Sequence, residues 1–243
     1  MEIHGLNKTT LLDYPEHVAC TVFTGHCNFA CPFCHNGDLV LCPGSQPLID
    51  ESEFEAFLNK RAAVLEGVCI TGGEPSIQKD LPEFIAKIRS HGLNVKLDTN
   101  GSNPEILESL LNKNLLDMVA MDIKSSKAGY PEAIGIPGYD ITNVCKSVDI
   151  LKSSGIPYEF RTTVVRELHN REVFSDIAEW LKGCQAYFLQ QFIPGERMIV
   201  DMLPEERRTY RYPNGLSAYS PEEMRQICGY LNELGIPAKV RGI

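Results

Sequence analysis

Short apolar runs alternate along this chain with stretches of helical periodicity, and this alternation limits the possible folds more than any other feature. The runs cover residues 18–23, 68–71, 95–97, 118–121, 158–165 and 187–192, and most lead into a glycine-containing or charged motif. Between them, Asp50 reads as an N-cap, with Glu53 three residues on and Phe54, Phe57 and Leu58 behind it. Asp80 is the expected cap of the next helix, with Pro82 in its first turn. Further helices are predicted over 104–113, 142–153 and 171–181. A last one opens on the capping-box pattern Ser220-Pro221-Glu222-Glu223 and stops at Gly235, before a short strand around 238–240. Strands alternating with helices build a parallel sheet through right-handed crossovers. The expected fold is α/β, a partial (β/α)6 TIM-like barrel with parallel strands. Six main strands fall short of the eight that close such a barrel, which leaves a side gap wide enough for a protein loop.

Size and charge narrow the function. With 243 residues, 43% of them hydrophobic, the chain is expected to form one domain over 1–243. Its core would cover about 15–195, with a C-terminal helix and strand in 196–243. A formal net charge of -9 argues against a nucleic-acid partner, whose phosphates need cations. The one basic and aromatic stretch, Arg207-Arg208-Thr209-Tyr210-Arg211-Tyr212, follows Glu205-Glu206 and reads as a solvated loop. No signal peptide is expected from the N-terminal residues, and no apolar run approaches the ~20 residues of a membrane span. Nine cysteines, six of them scattered singly, fit a reducing cytoplasm better than a disulfide framework.

The other three cysteines lie together in Gly25-His26-Cys27-Asn28-Phe29-Ala30-Cys31-Pro32-Phe33-Cys34-His35-Asn36. The spacing of Cys27, Cys31 and Cys34 offers three thiolates and no fourth. A closed zinc site normally shows paired ligands, and here the second pair is missing; His35 directly follows Cys34, and Cys42 is distant. A four-iron, four-sulfur cube held by three cysteines keeps one iron open for a small molecule. The spacing favours iron–sulfur over zinc.

Polar motifs fall where parallel sheets build their sites, at strand C-terminal ends. Gly72-Gly73-Glu74-Pro75 follows the second run, and its glycines let backbone come close to a ligand. Taken alone, it is also a plain tight turn. Asp98-Thr99-Asn100-Gly101 follows the third run and contains the common Asn-Gly turn pair. Asp122 and Lys124 end the fourth, where a surface ion pair is the simplest account. Arg161 interrupts the fifth. A cation in a central strand should be paired, here with Glu159, or should face a cavity and its ligand.

In that order, these motifs resemble the radical S-adenosylmethionine (SAM) superfamily. Cys-Pro-Phe-Cys-His-Asn, Leu97-Asp98-Thr99-Asn100-Gly101 and Met121-Asp122-Ile123-Lys124 are similar to the glycyl-radical-enzyme activating enzymes within it. Leu12-Asp13-Tyr14-Pro15 resembles the leader of activating proteins for anaerobic ribonucleotide reductase of the longer, full-barrel type. The resemblance covers about residues 5–200. It implies one 4Fe-4S cluster on Cys27, Cys31 and Cys34, with SAM chelated at the free iron. Phe33 and His35 would lie near the adenine, and Gly72, Gly73 and Glu74 would meet the methionyl ammonium. Lys124 and Arg161 would neutralise its carboxylate, while Asp98, Thr99 and Asp122 would line a monovalent-cation site. The implied partners are a glycyl radical enzyme and a flavodoxin or ferredoxin as electron donor.

The sequence departs from the family pattern at three places. His26 stands before the first cysteine and Glu16 in the leader, both where glycine is common. Gln190-Gln191-Phe192 stands where pyruvate formate-lyase activases carry a histidine. Two other radical SAM readings remain open at this point: a pyruvate formate-lyase-type activase and a small-molecule enzyme similar to 7-carboxy-7-deazaguanine synthase. A zinc-stabilised binding module without catalysis is the reading from outside enzymology.

Overall fold

The computed structural model describes residues 1–195, 197–205 and 212–243. One eight-stranded sheet organises them. Its strands lie in chain order: β1 (Ile3–Thr10), β2 (Ala19–Thr24), β3 (Gly67–Gly72), β4 (Asn94–Thr99), β5 (Met118–Asp122), β6 (Tyr158–Val164), β7 (Tyr187–Gln191) and β8 (Ala238–Arg241). From β2 to β8 every neighbouring pair is parallel. The sheet does not close, because β1 and β8 remain its two edges.

The partial parallel barrel expected from the sequence is therefore present, with two additions. The short C-terminal run is a full seventh parallel strand, registered on β7 from Tyr187↔Ala238 to Gln190↔Arg241. A strand that the apolar pattern does not reveal, β1, pairs antiparallel with β2. It carries Gly5, has two register irregularities and exposes Asn7, Lys8 and Thr9, so it shows no clean alternation. The basic stretch 207–211 lies outside the described residues.

Helices carry the crossovers: α1 (Gly37–Leu41) and α2 (Glu51–Arg61) after β2, α3 (Leu81–Ser90) after β3, α4 (Pro104–Asn112) after β4, α5 (Tyr130–Ala133) and α6 (Thr142–Ser153) after β5, α7 (Arg171–Leu181) after β6, and α8 (Ile199–Met202) and α9 (Pro221–Glu233) after β7. α7 shows why they form. Asn170 caps it by accepting from the Val173 N–H, and Phe174, Ile177, Ala178 and Leu181 recur on one buried face at helical spacing. Asp50 and Ser220 cap as expected, Ser220 within a full capping box. Asp80 does not: it holds the N-cap position, but its side chain bonds no free N–H of α3.

Strand alternation sorts the two faces of the sheet. Val95 and Leu97 of β4, with Val68 and Ile70 of β3, belong to the buried apolar cluster. Each fully buried aliphatic side chain there contributes about 1.5–3 kcal/mol relative to exposure. The alternate positions of β4, Lys96 and Asp98, carry charge to the opposite, concave face. That face is where the site is built.

Candidate active site

The cysteine loop leaves β2 and is pressed against the end of β3. A Cβ on Gly73 would lie 1.8 Å from the His26 carbonyl oxygen, and one on Gly72, at φ +114, 2.4 Å from the Thr24 nitrogen. Only glycines allow that approach. The Gly73 N–H donates to the Thr24 carbonyl at 2.9 Å and the Glu74 N–H to the His26 carbonyl at 2.8 Å. His26 itself has φ 61 and Glu16 has φ 66, both in the left-handed region. These are the two positions where the family pattern has glycine, so the departure costs backbone strain and leaves the loop path intact.

Glu74 is a clasp between loops. Its side chain is buried at 1% exposure and accepts three bonds, from the Ser76 N–H at 3.0 Å, the Thr99 hydroxyl at 2.7 Å and the Asn100 N–H at 2.6 Å. Burial pushes its pKa up, while these donors pull it down. With its oxygens so engaged, Glu74 ties the end of β4 to the glycine turn. What the turn turns toward the cavity beyond that is backbone.

Across β4, β5 and β6 runs a row of charges. Lys96, 1% exposed, pairs with Asp98. Arg161 Nη1 bonds Asp98 Oδ2 at 3.0 Å, and its Nε and Nη2 reach Asp122 Oδ1 at 3.0 Å. Lys124 Nζ bonds Asp122 Oδ2 at 2.9 Å. Arg161 is thus paired, but with the two aspartates. Glu159, the partner suggested by proximity in sequence, is taken by Arg241 of β8 through two bonds of 2.6 and 2.7 Å. Burial pushes the Asp122 carboxyl up, but Arg161 and Lys124 overcome it and hold the pKa at about 2. Asp98 is lowered in the same way: burial opposes, and Arg161 and Lys96 prevail. Lys124 and Arg161 are both raised against the effect of burial, chiefly by Asp122.

The motifs converge on one cavity that is open to solvent and encloses about 200 Å³. Cys27, Cys31 and Cys34 line it with Phe33 and His35. Gly72, Gly73 and Glu74 line it from the next loop, and Asp98, Thr99, Asp122 and Lys124 from the two strands beyond. Of the thirteen residues expected to form the site, only Arg161 is not part of this wall; it sits behind Asp98 and Asp122 and joins them.

The donor set fits a cluster. Among the described residues no three His, Cys, Asp or Glu side chains converge on a point that would hold a single ion. The three cysteines line the same cavity. Burial pushes Cys27 to about 11 and Cys31 to about 12 and raises Cys34, while Lys124 pulls all three down. Such thiols ionise on binding a cationic iron centre. His169 fixes Lys124 from behind. Its Nε2 donates to the Lys124 carbonyl at 2.9 Å, since a carbonyl oxygen can only accept, and Nδ1 lies 3.0 Å from both the nitrogen and the oxygen of Val165. Burial lowers the His169 pKa, in keeping with a neutral ring.

This fold and this wall of three cysteines define a radical SAM enzyme. The chain belongs to the radical SAM superfamily, whose profile matches residues 21–181. Enzymes of this family use a 4Fe-4S cluster and SAM. The chain is 34% identical, over 79% of its length and 80% of the relative's, to a protein of Methanocaldococcus jannaschii provisionally assigned as a glycyl-radical enzyme activating enzyme. It is 24% identical to the pyruvate formate-lyase-activating enzyme of Clostridium pasteurianum over 96% of this chain and 97% of that one. It is 28% identical to the GTP 3',8-cyclase of Marinobacter nauticus over 88% of this chain but only 62% of the cyclase. Among solved structures, a domain of a pyruvate-formate lyase-activating enzyme from Bacteroides vulgatus shares the fold at TM-score 0.55 and 16% identity, covering 72% of this chain and 99% of that one. Streptococcus suis SuiB bound to SAM does so at 0.66 and 12%, covering 90% and 49%.

The sequence left Asn36, Asn100 and Thr163 out of the candidate set, yet all three line the cavity. Asn36 Nδ2 donates to the Gly72 carbonyl at 2.9 Å, a second tie between the cysteine loop and the glycine turn. Asn100 could have been found from its place beside Thr99, but Asn-Gly reads first as a turn.

Proposed function

We propose that this chain is a radical SAM activase that installs a glycyl radical on a partner enzyme, and that the partner is an anaerobic ribonucleotide reductase. The observation that carries the reading is the single cavity joining the three cysteines to Lys124, Asp122 and the glycine turn. The relative from M. jannaschii supports the activase class, and the Leu12-Asp13-Tyr14-Pro15 leader supports the choice of target.

Cys27, Cys31 and Cys34 would hold the cluster. When bound, it would supply the electron for reductive cleavage of SAM, the chemistry needed to abstract a hydrogen atom from a glycine α-carbon. Phe33 and His35 would flank the adenine. His35 is exposed at the cavity rim with its ring 5.9 Å from Phe192. Backbone of Gly72 and Gly73 would receive the ammonium, with Glu74 holding that backbone in place. Lys124 would balance the carboxylate, and Arg161 would keep Asp98 and Asp122 in position. A monovalent cation near Asp98, Thr99 and Asp122 would share those carboxylates with Arg161. We take 1–243 as one functional unit with a flavodoxin or ferredoxin as its electron donor. A cytoplasmic location fits nine free cysteines. Among the described residues no helix is long and apolar enough to cross a membrane.

The test is anaerobic incubation with SAM, a reductant and a candidate anaerobic ribonucleotide reductase, followed by EPR. A glycyl doublet on the reductase is expected, and it should vanish with Cys31→Ala. Rapid SAM cleavage without a doublet, on this target or on pyruvate formate-lyase, would transfer the assignment to a small-molecule enzyme.

A further inference from the structure

We infer that Asn100 tunes the cluster: its side-chain amide donates to the Cys27 sulfur and raises the reduction potential of the bound cluster. The inference rests on the cluster reading above and adds to it a residue outside the ligand set.

The geometry leaves the amide little choice. Asn100 is buried at 5% exposure. Its Oδ1 accepts from the Ser102 N–H at 2.9 Å, so its NH₂ must point the other way. There Nδ2 meets two acceptors, Asn28 Oδ1 at 2.9 Å and Cys27 Sγ at 3.8 Å. The two hydrogens of the amide match the two acceptors. Asn28 is held in turn by donating to Ser102 Oγ at 2.8 Å. The Asn100 backbone is fixed by its N–H bond to Glu74. The donor is therefore oriented by the chain itself, before any cluster binds. Cys27 also lies 3.4 Å from the Phe29 N–H, so this sulfur receives two donors.

The physical consequence has a definite sign. One-electron reduction adds a negative charge to the cluster and its thiolates. A hydrogen bond to sulfur stabilises that charge, and such bonds are one of the levers that set cluster potentials. A hydrogen bond to a charged group contributes more than one between neutral groups, and an oriented donor in a buried site gains further. Asn100 is a positioning residue that acts through Cys27.

The experiment compares the loaded wild-type chain with Asn100→Ala and Asn28→Ala. The second variant keeps the donor but removes the partner that aims it. Iron and sulfide content is measured first, then the potential of the cluster by EPR-monitored redox titration without SAM. Asn100→Ala is expected to hold a full cluster and to lower, by about tenfold, the ratio of reduced to oxidised cluster at a fixed donor potential, about 59 mV for one electron. Asn28→Ala should shift the same way by less. Unchanged potentials at full cluster content would overturn the inference. If Asn100→Ala loads poorly, Asn28→Ala alone decides: a shift to lower potential supports the role and no shift rejects it. A wild-type chain that holds no iron or sulfide would instead overturn the cluster reading itself.

Discussion

Arg161 is the residue whose removal tests the site's architecture most directly. Arg161→Met keeps a long side chain and deletes the guanidinium between Asp98 and Asp122. Breaking a buried ion pair from one side costs about 3–5 kcal/mol, because a charge is left buried without its partner. Here each aspartate keeps one lysine, Lys96 or Lys124, so the low end, about 3 kcal/mol, applies. For a chain of this length that is a fall in Tm of about 6–12 °C. Anaerobic thermal unfolding followed by circular dichroism reads it. A second replacement, Asp98→Asn in the same chain, should return about 1 kcal/mol or more, since it removes a carboxylate that has lost its main counter-charge. The reasoning is refuted if Arg161→Met melts within about 1 °C of the parent while the SAM requirement rises. That result would make the guanidinium a ligand contact and not the brace between two strands.

Gly73→Ala should displace the cysteine loop, since its Cβ would fall 1.8 Å from the His26 oxygen. A loss of about 3 kcal/mol in urea unfolding, together with reduced iron content after reconstitution, is the expected result. His26→Gly should act the other way. Relief of left-handed strain, about 1–3 kcal/mol, exceeds the entropy glycine adds to the unfolded chain, and Tm should rise by a few degrees in calorimetry. Acid should destabilise the protein through Asp122. Its folded pKa of about 2 lies below the usual ~3.9 of the unfolded chain, so its contribution of about 2 kcal/mol is complete above that value and lost as pH falls toward 2. Urea unfolding between pH 5 and pH 2.5 should show that loss, with a shallower fall for Asp122→Asn.

Local signals were readable in the sequence, and long-range pairings were not. The six apolar runs became strands β2 to β7 because each is long enough and β-rich enough to pair wherever it lies. The strand-end motifs gathered at one cavity because a parallel sheet puts every strand's C-terminal end on the same side. β1 escaped notice because an edge strand with exposed polar residues needs no pattern. Arg161 beside Glu159 was a natural pair by sequence distance. The fold instead brings it Asp98 and Asp122, 63 and 39 residues away, and gives Glu159 the more distant Arg241. Glu74 shows the same limit. The motif marks it as a polar residue near a ligand, and only the β3–β4 register reveals that its oxygens are spent on Thr99 and Asn100.

The row from Lys96 to Lys124 has five members in alternating sign, and an odd alternating series cannot cancel. Three cations against two anions leave one unit of positive charge over. Lys124, at one end of the row, lines the cavity together with the three cysteines, Asp98 and Asp122. Its charge already pulls down the pKa of all three thiols. The surplus sits behind the wall, because Asp98, Asp122 and Lys124 line the cavity while Arg161 and Lys96 do not. A row with one aspartate more, or one lysine fewer, would be neutral overall. The parity of the row thus sets the charge of the brace that holds both aspartates at the cavity wall.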